Sequence, residues 1–591
     1  MKTIVGLPSS TISTTGQFFK TIEEQAKEFE TWNDELYLEK HRGTFTTHGW
    51  VKRENRQSEG ILYATELLAV LGMLLGTKGA SRKYPQQQIE KAWKNLLLNQ
   101  FHDIVPGTSI AEAYEDVRKD FAAIRSSCQT VQSRALSGLV VKERVKKSEK
   151  GFHFSVFNAL GWDRNEYIVL DLNSAEKSFV VTDGNGGPVE HQVLGRRKGK
   201  VEILCYLEKI PAFSFAQLVV TPSTAKPAEP IVWKATNRLL ETPRYRVRFD
   251  SRGGISSLHD KALRRELVAK GARLNQFQAY KDIPKQWEAW DIEADYANKP
   301  IDLFKLERLR VMEEGPLRAT VRLELKSDNG SRLSQDIRFY HKSPRVDFET
   351  SVIWKEKQTL LKAAFPLNVK THTATYEIQF GALQRTTKPT DSHQKARFEV
   401  PAQQWADLSE QKFGVSLLND CKYGYDASDT TLRLTLLRSP HYPHAVEPWR
   451  LNDERLTDQG KHAFTYALYP HSKDWRGGET IQRARELNQP LLVVPGTADS
   501  VPTLLSVSSP GIVIDSIKKA EDSDEVIIRL HEAHGQSLKT TLTFGVRADA
   551  AAECDLMEQE VTALKVTKTK ISLKFSPFEI KTLKVKFRAK R

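Results

Sequence analysis

Between Asn99 and Thr108 the chain reads Asn-Gln-Phe-His-Asp-Ile-Val-Pro-Gly-Thr, and the adjacent His102 and Asp103 are of types that do chemistry. Imidazole is the commonest side-chain ligand for a divalent metal, and a carboxylate beside it can orient the ring or accept hydrogen bonds from a polar substrate. Pro106-Gly107 imposes a turn that can hold both at a cleft rim. The set is incomplete alone, because a catalytic zinc takes about three protein ligands and keeps one position open. No His-Glu-x-x-His, His-x-Asp or Cys-x-x-Cys motif supplies the rest. The plain alternative is a hydrogen-bonded surface histidine. His441-Tyr442-Pro443-His444 gathers two imidazoles, but its proline breaks helical spacing and it reads as a loop.

A second constellation runs from Trp32 to Thr47 and sets Asp34, Glu35, Glu39, Arg42 and several aromatic residues around Gly43. Glycosidases use carboxylates to protonate a leaving oxygen and aromatic rings to stack on a sugar. An exposed acidic segment with local ion pairs would carry the same residues.

Helical spacing dominates the first quarter. Phe18, Phe19, Ile22 and Ala26 mark one helix, Leu62, Leu67, Leu71, Leu74 and Leu75 a second, and Ile89, Trp93, Leu96 and Leu97 a third. Ser109-Ile110-Ala111-Glu112 has the form of a capping box opening a fourth, which runs toward Ser137. Short connections predict a small antiparallel bundle. After a basic linker at 142–147 the period becomes two: 152–158, 167–170, 217–220, 245–249 and 320–325 read as strands, and the basic tail Lys581 to Arg591 alternates like a strand with one wet face, Ile580, Leu583, Val585 and Phe587 supplying most of its apolar positions. The proline-bearing stretches 221–227 and 489–495 read as boundaries. The fold class is therefore α+β and multidomain, a short helical bundle followed by a large all-β region of stacked antiparallel sandwiches.

A chain of 591 residues is too long for one core. The net charge of +14 spreads over 88 basic and 74 acidic residues that are mixed along the sequence, so no nucleic-acid partner is expected. Four scattered cysteines suit reduced thiols in the cytoplasm. No signal-peptide pattern or run of about 18 apolar residues predicts export or a membrane partner.

Together Glu35-Leu36-Tyr37-Leu38-Glu39, His41-Arg42-Gly43-Thr44 and Leu96 to Ile104 with Pro106-Gly107 resemble glycoside hydrolase family 38, the retaining α-mannosidases. Gly254–Lys261, Trp287–Ile292, Trp405–Glu410, Asn419–Gly424 and Tyr466–His471 resemble the C-terminal β domains of its bacterial and cytosolic branch. The resemblance implies five segments: 1–45 as the end of a catalytic α/β barrel, 46–140 as the helical middle domain, 150–225 as a β-sandwich, 230–490 as a large super-sandwich and 491–591 as a C-terminal sandwich.

It also implies roles. His102 corresponds to a metal-ligating histidine for Zn2+ or Co2+, and Asp103 to a residue that hydrogen-bonds substrate hydroxyls. The acid/base carboxylate falls at Glu35 or Asp34. Arg42 and Trp405 are candidates for the border of the sugar pocket, a buried structural role being equally open to each. The remaining zinc ligands and the nucleophilic aspartate belong to a barrel with no counterpart in this sequence, so the chain alone is expected to be inactive, and a separate chain supplying the barrel is an expected partner, as is a second copy. A carbohydrate-binding or scaffold protein that has lost turnover is the alternative, with Trp287, Trp290 and Trp405 stacking on sugar faces. In that case no barrel is needed.

Overall fold

The computed structural model describes residues 6, 10–77, 82–141, 151–224, 233–236, 238–443, 454–498 and 501–588. The linker 142–147 and His444 lie outside them. The chain divides into two compact units, one ending at Glu39 and one beginning at Lys40.

The first unit contains helix α1 (Thr15–Glu23) and a 3-10 turn at Ala26–Glu28. Thr14 caps α1, its hydroxyl accepting from the amide of Gln17 at 3.3 Å. Phe18, Phe19 and Ile22 fall on α1 as read, Ala26 falls in the separate 3-10 turn, and α1 buries none of its residues. Phe19 is 66% exposed and Leu36 90%.

The second unit opens on a bundle of α2 (Gly49–Leu75), α3 (Gln86–Asn99) and α4 (Ala113–Leu139). Val51, Leu62, Leu96, Phe121 and Ile124 fill its core. The apolar second half of α2, including Leu67, Leu68 and Leu71, packs into the core of the C-terminal sandwich. By length and composition α2 would suit a membrane, but most of its apolar stretch is buried in the protein. Its N-terminus is set from afar: the Asp458 carboxylate accepts from the amides of His48 at 2.7 Å and Gly49 at 2.8 Å, satisfying two orphan donors at the positive end of the helix. The capping box read at Ser109–Glu112 does not form. The Ser109 amide donates to the Tyr114 hydroxyl, Glu112 pairs with Arg455, and α4 starts at Ala113 without a side-chain cap.

The β region is antiparallel throughout its described strands. A four-stranded and a three-stranded sheet form the first sandwich, around Val156, Leu170, Ile203 and Leu218. Next come a five-stranded sheet and the large domain, whose nine-stranded and six-stranded sheets run from Gln276 to Ser472. A three-stranded and a five-stranded sheet make the C-terminal sandwich. The stretch 489–495, read as a boundary, holds the strand Leu492–Pro495, which pairs with Phe152–Asn158 at the edge of the first sandwich, where proline is tolerated. The chain thus leaves that sandwich, builds the large domain and returns to it.

Candidate functional site

The His102–Asp103 turn is fastened on every side but one. Helix α3 ends at Asn99, whose side-chain amide donates to the carbonyl of Asn95 at 2.7 Å and to Asp120 at 3.0 Å. The next residue, Gln100, donates to Asn55 at 2.9 Å and Glu59 at 3.0 Å on α2. Beyond the turn, the Thr108 amide donates to the carbonyl of Asp103 at 3.1 Å and the Thr108 hydroxyl to Asp103 Oδ1 at 2.9 Å. The Tyr114 hydroxyl also donates to that carbonyl at 3.2 Å, while its ring stacks on His48 with centroids 4.0 Å apart.

Lys52 completes the fastening from beneath. Its ammonium donates to the carbonyls of Thr47 at 2.5 Å, Val105 at 2.9 Å and Pro106 at 3.2 Å. Burial pushes this amine down to about 7, against the pull of the Asp458 charge. Gly107 has φ +91°, and a β-carbon there would stand 2.5 Å from the Thr47 carbonyl oxygen, so the turn needs glycine for both conformation and closeness.

What this frame presents outward is the imidazole of His102, 79% exposed, and the half-exposed carboxylate of Asp103, with 3.9 Å between Nε2 and Oδ2. Phe101 lies against the ring, centroids 4.1 Å apart, and with Leu97 and Leu98 makes an exposed apolar rim. Among the described residues no group of three or more His, Cys, Asp or Glu side chains could hold a metal ion. One imidazole and one carboxylate do not fit a complete zinc or cobalt site.

Arg42 and Gly43 serve a clamp. The Arg42 guanidinium lies 4.4 Å over the Phe398 ring and donates to the carbonyl of Ala396 at 3.0 Å. Buried Arg438 donates to Asp282 at 2.8 Å, to the carbonyl of Asp291 at 2.8 Å and to the Thr47 hydroxyl at 3.1 Å. This holds the 3-10 helix Arg42–Phe45 to the large domain, so packing draws the unit boundary at 39 and 40. Trp405 is fully buried, 5.1 Å from Trp475 between ring centroids, and no hydrogen bond or ring contact links it to His102 or Asp103. In the first unit Asp34 is exposed and Glu35 half-buried, and Asp34 Oδ1 accepts from the Glu35 amide at 2.7 Å. Sequence reasoning missed Lys52, Asp458 and Arg438. Lys52 sits in a charged stretch, Lys52 to Arg56, that reads as a solvated helix face, while the other two act across hundreds of residues.

Comparison with known proteins agrees with this layout. The α-mannosidase middle-domain model matches residues 39–139, the glycosyl hydrolases family 38 C-terminal domain 240–446 and its C-terminal beta sandwich domain 511–583. Alpha-mannosidase 2C1 of Homo sapiens is 36% identical over 98% of the chain, and alpha-mannosidase G of Dictyostelium discoideum 31% over 99%. The chain covers 53% and 55% of those proteins, so it spans about half their length. In fold it matches the crystal structure of an alpha-mannosidase from Enterococcus faecalis V583, with TM-score 0.77 at 17% identity over 97% of this chain and 72% of that one. From the pinned His102–Asp103 turn to the closing β-sandwich, the chain belongs to glycoside hydrolase family 38 and carries its middle and C-terminal domains.

Proposed function

We propose that the chain is the C-terminal part, lacking most of the catalytic barrel, of a metal-dependent retaining α-mannosidase that removes terminal α-mannosyl residues from α-mannosides or oligosaccharides. The observation that carries this reading is the turn itself: helices α2, α3 and α4 together with Thr47 fix it, and the fixing leaves His102 and Asp103 facing outward. In this reading His102 offers one donor to Zn2+ or Co2+, Asp103 receives substrate hydroxyls, and Glu35 or Asp34 does acid/base work. The other donors and the nucleophile come from a catalytic barrel, in the same polypeptide or a separate one. The exposed apolar side chains of the first unit, Phe19 and Leu36 among them, support such a partner surface. The free, buried thiols of all four cysteines support a cytoplasmic setting.

The test uses the purified chain alone and mixed with a separately expressed family 38 barrel, with release from an aryl α-mannoside and bound zinc and cobalt measured in each. The expected result is no hydrolysis alone, metal-dependent hydrolysis in the mixture, and loss of both metal and turnover in His102→Ala. An inert mixture that still binds α-mannosides after chelation would instead support a carbohydrate-binding scaffold. One observation favours that second reading: Trp287 is 49% exposed and meets Trp290 edge-on at 5.4 Å, an aromatic platform on the surface.

A further inference from the structure

A cavity of about 1060 Å3 opens where α2 and the end of α3 face the large domain, the helix Thr480–Asn488 and the C-terminal sandwich. It is just above the usual range for small-molecule sites, roughly 300–1,000 Å3. Neither His102 nor Asp103 lines it.

Its polar wall is organised around Arg56 and Arg485. Arg56 lies 4.4 Å over the Tyr423 ring and donates to the Tyr423 hydroxyl at 3.0 Å and to Asn488 at 3.3 Å. Arg485 donates to Asp515 at 2.8 Å, and Asp515 also meets His531 at 2.6 Å. These cations are thus engaged within the wall. Unused hydrogen-bonding capacity lies elsewhere. Glu59 receives Asn55 and Gln100 on Oε1, and Glu377 receives the Gln404 amide on Oε2. Among the described residues neither Glu59 Oε2 nor Glu377 Oε1 accepts a hydrogen bond, and Arg485 Nε and Gln404 Oε1 are also unpartnered. Burial raises both carboxyls above the ordinary glutamate range while the Arg56 charge draws each back down.

The apolar part of the wall has a deliberate element. Phe380 forms the tip of the two-residue hairpin between the strands Thr373–Ile378 and Gly381–Thr386, with φ 56°, a left-handed conformation costly for an aromatic residue. Hairpin tips of this kind normally take Asn or Gly. In this conformation a 43% exposed ring stands on the cavity, edge-on to His531 at 5.5 Å.

Free acceptors, one free donor, lining lysines and arginines (Lys518, Lys519 and Arg529 among them) matched in number by lining carboxylates, and an exposed ring suit a ligand with many hydroxyls and no charge. A phosphate would meet bare carboxylate oxygens, and a polyamine would meet Arg56 and Arg485. We infer that this cavity is a second binding site, for a neutral carbohydrate, with Glu59 and Glu377 accepting from its hydroxyls and Phe380 covering a C–H face of a ring. The inference is independent of turnover at the His102 turn.

The test is calorimetric titration of the full chain with α-linked mannotriose, maltotriose, inorganic phosphate and spermine, with Phe380→Ala, Glu59→Gln and His102→Ala beside the natural protein. Circular dichroism and melting confirm that each variant is folded. Expected is saturable binding of one or both sugars, weakened tenfold or more by Phe380→Ala and by Glu59→Gln and unchanged by His102→Ala. Binding lost only in His102→Ala would overturn the inference while sparing the mannosidase reading. Binding of phosphate or spermine instead of sugar, or of no probe at millimolar concentration, would also overturn it.

Discussion

Arg438 fills the space that any side chain at position 43 would claim: a β-carbon on Gly43 would stand 1.7 Å from its Nη1 and 3.0 Å from the carbonyl oxygen of Asp291. The guanidinium cannot yield, being fully buried and paired with Asp282. Gly43→Ala should therefore destabilise the protein by about 3 kcal/mol or more, as should Arg438→Met, which strands the Asp282 carboxylate. Urea denaturation measures both. A midpoint unchanged in either variant would mean that the clamp holds nothing.

Lys52 and Gly107 act on the same turn from two sides. Lys52→Met leaves three carbonyls without their donor, at roughly 1–3 kcal/mol for each that stays buried. Gly107→Ala adds strain at φ +91° and a clash with Thr47. Hydrogen exchange should show faster exchange at the amides of Gly107 and Thr108 in both variants, with the β-sandwich amides unaffected. Uniform acceleration across the chain would point to global unfolding instead.

His102 has little packing to lose, since its ring stands mostly in solvent against the exposed Phe101 ring. His102→Ala should leave the unfolding free energy within about 0.5 kcal/mol of the natural protein. A larger loss in a denaturant titration would mean that the ring supports the turn and is not held out for a ligand.

Glu66 predicts a pH dependence. Burial on α2 raises its carboxyl to about 7 against the pull of Lys518, whereas the unfolded chain titrates near 4.5. The folded state therefore holds a proton that the unfolded state releases between these values, so this group's contribution is full below pH 4.5 and is lost as pH rises through 7. Glu66→Gln removes the loss. It should be neutral at pH 4 and more stable by up to ~3 kcal/mol at pH 8. Parallel pH–stability curves for the two proteins would refute the assignment.

Local pattern carried the elements well and their ends poorly. The strands read at 152–158 and 245–249 have the observed bounds, because alternation and flanking turn residues are local signals. Helix α2 was legible from its leucines, but its start at Gly49 depends on a carboxylate 409 residues away in sequence. Ser109–Glu112 has the letters of a capping box, and a tyrosine hydroxyl five residues on took the amide first. The His102–Asp103 turn was legible because its residue types are unusual together. The cavity was not, since its walls come from four separate regions and only packing assembles them.

The return of Leu492–Pro495 to Phe152–Asn158 makes the first sandwich a host and the large domain its guest. Cutting the gene near 490 would deprive the host of its outermost strand and bare a ladder of amides and carbonyls to self-association. Excising the guest and joining residue 224 to 491 by a short linker would instead keep every strand of the host on one polypeptide, while removing the Asp458 carboxylate on which the start of α2 depends.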